Sequence, residues 1–209
     1  MKQFIDKHPV VAILRGVLPS NAINIAQCLY DHGIRVIEVP LNSPQAITSI
    51  ANIVGALPED CLIGAGTVIT LEQVKQVNNA GGKLIISPHC DIDIINYCLA
   101  NNLDVIPGIA TPTEAFLAYQ AGARWLKLFP AETYGCAHLK ALKSVLPRDA
   151  HIIPVGGISQ KNASQWLSFN AIAVGIGNSL YQSNDSVDTV TAKVIQLNKV
   201  LNINLLDDK

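Results

Sequence analysis

Short apolar runs rich in Val, Ile and Leu recur along the whole chain: Val10–Leu14, Val36–Val39, Leu62–Ile63, Leu84–Ile86, Val105–Ile106, Trp125–Phe129, Ile152–Val155 and Ala173–Ile176. Each run is continuous rather than alternating, which is the pattern of parallel strands covered on both faces. Between the runs, apolar positions return with helical spacing. Ile23, Ala26, Cys28 and Leu29 mark the first such segment, and Val187, Val190, Val194, Leu197 and Leu201 mark the last.

Helix starts are signalled directly after strands. Ser43-Pro44 and Thr111-Pro112 each set a capping residue before a proline at the first helical position, Glu114 completes a capping box, and Thr70 with Gln73 repeats the pattern. Eight strand-helix units in a chain of this length predict a closed (β/α)8 barrel, a TIM barrel, at the compact end of its size range. The competing arrangement is an open doubly wound sheet. It wants a Gly-x-Gly-x-x-Gly turn after the first strand, where this chain has Arg15-Gly16-Val17-Leu18-Pro19, and Gly64-Ala65-Gly66 and Gly175-Ile176-Gly177 lack the third glycine. A single barrel domain over 1–209 is the expectation.

Composition narrows the partners. Of 209 residues, 49% are hydrophobic and 15% charged, which excludes intrinsic disorder. The net charge is −1 and no Lys/Arg cluster appears, so a nucleic-acid partner is not expected. No apolar run approaches the roughly 18 residues that span a bilayer, and the start, Met1 to His8, lacks a signal-peptide stretch, so a soluble, cytoplasmic protein without a membrane partner is expected. The five cysteines form no Cys-x-x-Cys pair and read as free thiols. Cys136-Ala137-His138 and His89-Cys90 lack a second ligand pair at zinc spacing, so no metal and no other cofactor is expected. A cation gathered by His89, Asp91 and Asp93 is the competing reading.

Three charged residues interrupt apolar strand runs toward their C-terminal ends: Arg15, Glu38 and Lys127. Lys127 is flanked by apolar residues on both sides, where desolvation depresses an ammonium pKa and leaves a nucleophilic amine. A lysine that pairs with a carboxylate or snorkels to the rim fits the same context equally well. Glu38 reads either as the counter-ion of Lys127 or as a proton shuttle beside it. In a barrel, strand C-termini converge on one face, so Arg15, Glu38, Thr67, Pro88, Pro107, Lys127, Pro130 and Gly156 would ring one opening. The Arg15 guanidinium suits a carboxylate or phosphate, or an ordinary salt bridge. Gly156-Gly157 and Gly175-x-Gly177-Asn178-Ser179 follow the last two strands, where barrels hold phosphate on bare backbone N–H groups; tight turns alone would also call for these glycines.

Six ordered segments, Ile37-Glu38-Val39, Gly64-Ala65-Gly66-Thr67, Ile86-Ser87-Pro88, Ile106-Pro107-Gly108, Lys127-Leu128-Phe129-Pro130-Ala131-Glu132 and Gly156-Gly157-Ile158, resemble the 2-keto-3-deoxy-6-phosphogluconate aldolase family from about residue 9 to 200. The resemblance implies a metal-free class I aldolase, commonly a homotrimer, that cleaves a phosphorylated 2-keto-3-deoxy sugar acid into pyruvate and glyceraldehyde 3-phosphate. By position, Lys127 would form the Schiff base and Glu38 would move protons. Thr67, Arg15 and the Pro88 neighbourhood would hold the pyruvyl carboxylate and keto region, and Gly156, Gly157, Gly177 and Asn178 the distal phosphate. Phe129 and Val155 would line the substrate. Asn42 stands where the gluconate-type enzymes usually have arginine, and Val155 where they have threonine. Both departures are similar to the galactonate-type branch, with cleavage of the gluconate epimer as the alternative. Asn178 stands where the family generally has serine.

Overall fold

A computed structural model describes residues 1–203 of the chain. Its strands are β1 (Val10–Ile13), β2 (Val36–Pro40), β3 (Leu62–Gly66), β4 (Leu84–Ile86), β5 (Asp104–Ile106), β6 (Gly108–Ile109), β7 (Trp125–Leu128), β8 (His151–Pro154) and β9 (Val174–Ile176). Each apolar run of the sequence therefore forms a strand. The helices are α1 (Lys2–Ile5), α2 (Pro19–Asp31), α3 (Ala46–Ala56), α4 (Leu71–Asn79), α5 (Ile92–Ala100), α6 (Pro112–Gln120), α7 (Ala131–Val145), α8 (Ala163–Ser168) and α9 (Val187–Val200).

All strand pairs are parallel. One ladder runs β5-β4-β3-β2-β1-β9 and the other β6-β7-β8. β5 and β6 are two halves of one stave, interrupted at Pro107, which has no N–H for the ladder; its carbonyl still accepts from Lys127 N at 2.8 Å. The circle closes between β8 and β9 through a Val155–Gly175 bridge and a 3.2 Å bond from Ile172 N to Ile152 O. Eight staves thus form the expected (β/α)8 barrel. The domain expectation also reaches residues 204–209, which lie outside the described ones.

Alternation along each strand sorts side chains into two cores. One fills the space between barrel and helices, and the other fills the barrel with Val11, Ile13, Val36, Leu62, Leu84, Ile86, Ile106, Ile153, Val155 and Ala173. At the N-terminal end of the strands, α1 plugs the barrel with Ile5, and the Met1 amine pairs with Asp104 at 3.2 Å.

The caps follow local chemistry at two of the three expected sites. Thr111 and Glu114 form the reciprocal capping box of α6, and the Thr70 side chain accepts from Gln73 N at the start of α4. Ser43 does not cap α3, which begins three residues later behind Gln45 in the left-handed region (φ 48°). The Ser43 hydroxyl is taken instead by the N–H of Gly16, at 2.9 Å. The helical faces are offset from their expected markers as well: α2 buries Ala22, Ile25, Ala26, Cys28 and Leu29 and leaves Ile23 exposed, and Val187 at the start of α9 is exposed too.

Candidate active site

Glu38 on β2 and Lys127 on β7 point into the barrel, because Ile37, Val39, Leu126 and Leu128 on either side of them pack in the outer core. Their staves, the second and sixth of eight, face each other across the barrel. Glu38 is 2% exposed and Lys127 6%. No contact ion pair joins them among the described residues. Oε2 of Glu38 is buried and has no hydrogen-bond partner. Room for this carboxylate comes from Gly66 at the end of β3, where an added Cβ would collide with the Glu38 carboxyl group.

Burial governs both titrations. It pushes the Glu38 carboxyl above the usual carboxylate range, against the opposing pull of the Lys127 and Arg15 charges. It pushes the Lys127 ammonium below the usual lysine range; the Glu38 charge opposes this and the Arg15 charge adds to it. The lysine therefore has access to its unprotonated, nucleophilic form, and the carboxyl group to both its protonation states. Lys127 Nζ lies over the Phe129 ring, 4.8 Å from its centre.

From Phe129 a cleft of about 450 Å³ runs to the ends of β8 and β9, lined by Ile13, Arg15, Val155, Gly156, Gly157, Gly177, Asn178 and Ser179. Gly156 (φ 102°) and Gly157 (φ 70°) turn the chain through the left-handed region. Two hydrogen bonds latch the loop after β8 to the loop after β9: Ser179 Oγ donates to Ile158 O at 2.9 Å, and Gln160 Nε2 to Ser179 O at 2.9 Å. The N–H groups of Gly157, Asn178 and Ser179 donate to no other group among the described residues, which leaves an array of backbone donors around the cleft.

Thr67 and Pro88 lie elsewhere. They follow β3 and β4, on the side of the barrel opposite the glycine loops. Thr67 is held at φ 57°, an unfavourable backbone for a β-branched residue, and Pro88 is approached so closely by Gly108 that a side chain there would collide with its carbonyl. Lys127 and Glu38 thus stand between two half-sites, one at Thr67 and Pro88 and one at Phe129, Val155 and the glycine loops. Arg15 belongs to the second. His89, Asp91 and Asp93 do not gather: Asp91 Oδ1 caps α5 by accepting from Ile94 N at 3.0 Å, and no group of three potential ligands forms among the described residues.

Sequence reasoning assigned no role to Gly66 or Gln160 and missed the contact of Asn42 with Arg15. Gly66 had a signal, since it ends the strand paired with β2 in a register that sets Glu38 opposite Gly64. A second cavity, of about 430 Å³, lies at the opposite end of the barrel around Leu57, Cys61, Lys83 and Asp104, remote from Lys127.

A closed (β/α)8 barrel with a buried lysine, a buried carboxyl group and an anion-receptive cleft at the C-terminal end of its strands defines the class of a barrel enzyme. The profile described as "Aldolase: KDPG and KHG aldolase" matches residues 1–197, and the chain belongs to this family of aldehyde-lyases. It is 41% identical over 186 residues to the 2-dehydro-3-deoxy-6-phosphogalactonate aldolase of Escherichia coli strain K12, covering 89% of this chain and 91% of that one. A solved structure described as "Native KDPGal structure" superposes with a TM-score of 0.91 at 39% identity, over 94% of this chain and 95% of that one. The KDPG aldolase of Legionella pneumophila, crystallised with pyruvate captured at low pH as a covalent carbinolamine, superposes with a TM-score of 0.85 at 29% identity, over 96% and 98%.

Proposed function

We propose that the chain is a class I aldolase that cleaves 2-keto-3-deoxy-6-phosphogalactonate to pyruvate and glyceraldehyde 3-phosphate through a Schiff base on Lys127. One observation carries the reading: a buried lysine, driven toward its neutral form, faces a buried carboxyl group whose Oε2 is unpartnered. The neutral Nζ attacks the C2 ketone, and loss of water from the carbinolamine gives an iminium. Cleavage of C3–C4 sends its electron pair toward the iminium and forms the pyruvate enamine, while the C4 hydroxyl gives up its proton as the aldehyde forms. Glu38, through a water, takes that proton and returns one to C3, and hydrolysis of the new iminium frees pyruvate and the lysine. The carbinolamine named for the Legionella pneumophila relative is the intermediate that precedes such an iminium.

Thr67 and Pro88 border the pyruvyl end, and the backbone donors of Gly156, Gly157, Gly177 and Asn178 receive the phosphate. Family membership supports a homotrimer of single-domain chains. A cytoplasmic location is supported by five free cysteines and by a phosphorylated substrate, which does not cross a bilayer unaided. No helix among the described residues is long and apolar enough to cross a membrane.

The galactonate epimer is favoured by Val155, which lines the cleft and offers only methyl groups. A hydroxyl at that position would serve one C4 epimer and stand unpaired against the other, a difference worth about 1 to 3 kcal/mol. The test is cleavage of each epimer, with pyruvate detected and a chelator present. The galactonate epimer is expected to have the higher kcat/KM, with Val155→Thr narrowing the gap. A preference for the gluconate epimer would overturn the substrate assignment, and activity that requires an added divalent ion would overturn the mechanism.

A further inference from the structure

Arg15 projects from the loop after β1, and among the described residues its guanidinium has one hydrogen-bond partner, Asn42, to whose Oδ1 its Nη1 donates at 2.6 Å. The backbone beside it is fixed as well. The N–H of Gly16 donates to Ser43 Oγ, next to Asn42, and Gly16, at φ 80°, lies so close to Ser183 that a Cβ would strike the Ser183 hydroxyl. The β1 loop is therefore held between the loop after β2 and the loop after β9, and the side chain it presents is fixed by Asn42.

Charge says what this arm is for. Of the residues that line the cleft, Arg15 alone carries a positive charge, and Glu132, beside Gly157, brings a negative one. Backbone N–H groups supply partial charge only, so a phosphate dianion seated near Glu132 depends on Arg15 for a full opposite charge. A single bond to Asn42 leaves four of the five guanidinium N–H donors available. Thr67 and Pro88, at the pyruvyl end, do not share this wall.

We propose that Asn42 is a positioning residue that aims Arg15 at the distal end of the cleft and so makes the enzyme select aldehydes and sugar acids that carry a phosphate there. The proposal rests on the aldolase reading and adds to it the origin of phosphate selectivity in a chain where asparagine replaces the usual arginine.

The experiment runs the reaction in synthesis, with pyruvate and either glyceraldehyde 3-phosphate or unphosphorylated glyceraldehyde, on the wild type, Asn42→Ala, Asn42→Gln, Arg15→Gln and the Asn42→Ala/Arg15→Gln pair. Asn42→Ala is expected to lower kcat/KM for the phosphorylated aldehyde about tenfold more than for glyceraldehyde, through KM, the scale of one misplaced charge-assisted hydrogen bond. Asn42→Gln keeps the carbonyl acceptor and restores most of the preference. Arg15→Gln costs more, and the double variant equals it, because Asn42 acts only through Arg15. An equal loss for both aldehydes, or a double variant that sums the single losses, would overturn the positioning role. Borohydride trapping of pyruvate on each protein separates the two levels: failure of the wild type to trap overturns the aldolase reading and this inference with it, whereas trapping with an unchanged aldehyde preference overturns this inference alone.

Discussion

At the scale of the residue, the site depends on two groups held where water would not leave them. Glu38 and Lys127 occupy strand positions that Val or Ile would fill in an ordinary barrel core, and they sit without a contact ion pair between them. Replacing Glu38 by Gln keeps the volume above Gly66 and removes the proton acceptor. Turnover is expected to slow by roughly 100-fold or more, the usual scale for a general acid or base, while pyruvate still traps on the lysine. Steady-state cleavage beside borohydride trapping checks it; near-normal turnover would reduce Glu38 to an electrostatic neighbour of Lys127. This pair was legible in the sequence because a charge inside an apolar run conflicts with its surroundings. The Asn42–Arg15 contact was not, because it joins residues 27 apart in the chain. Gly66 was half legible: its strand was plain, but its function depends on a carboxylate that arrives from the neighbouring strand.

The elements follow the local signals where those signals are local. Both partners of the α6 capping box lie within four residues of chain, and the Glu114 carboxylate accepts from Ala110 N and Thr111 N, each at 2.8 Å. Thr111→Ala is expected to lower stability by about 1 kcal/mol, read as a shift in the urea midpoint without a change in slope. An unchanged midpoint would mean that Glu114 and Pro112 hold the helix start alone. Ser43-Pro44 looks like the same signal and fails. Its hydroxyl serves Gly16 on another loop, and only tertiary structure brings that donor within reach. The eight strands were legible for the opposite reason: continuous apolar runs are demanded by burial on both faces, whichever partners the strands find.

At the scale of the whole molecule, the closed barrel buries groups that take no part in the chemistry. His8, fully buried, bonds through Nε2 to Asn198 Oδ1 at 2.8 Å, and Asn198 Nδ2 donates to His32 O at 2.9 Å, which ties the entry to β1 to α9 and α2. Burial lowers the His8 pKa from 6.5 to about 4, with the Asn198 bond opposing and the Arg35 charge assisting. The unfolded chain therefore binds this proton below pH 6.5 and the folded chain only near pH 4. Stability falls through that window as pH drops, by roughly 3 kcal/mol from this one group. Urea unfolding at pH 7 and pH 5 should show about 2 kcal/mol of this loss, since pH 5 lies short of the folded value, and His8→Gln, which keeps an amide donor toward Asn198, should flatten it. The same slope in both proteins would move the effect to other groups.

The central claim is that Lys127 is the Schiff-base nucleophile. Incubation with pyruvate and borohydride, followed by peptide mapping, tests it most directly. One reduced pyruvyl group per chain, carried by the peptide that contains Lys127, with activity lost in proportion, is the predicted result. Modification of a different lysine, or no modification of a protein that cleaves its substrate well, would contradict the account.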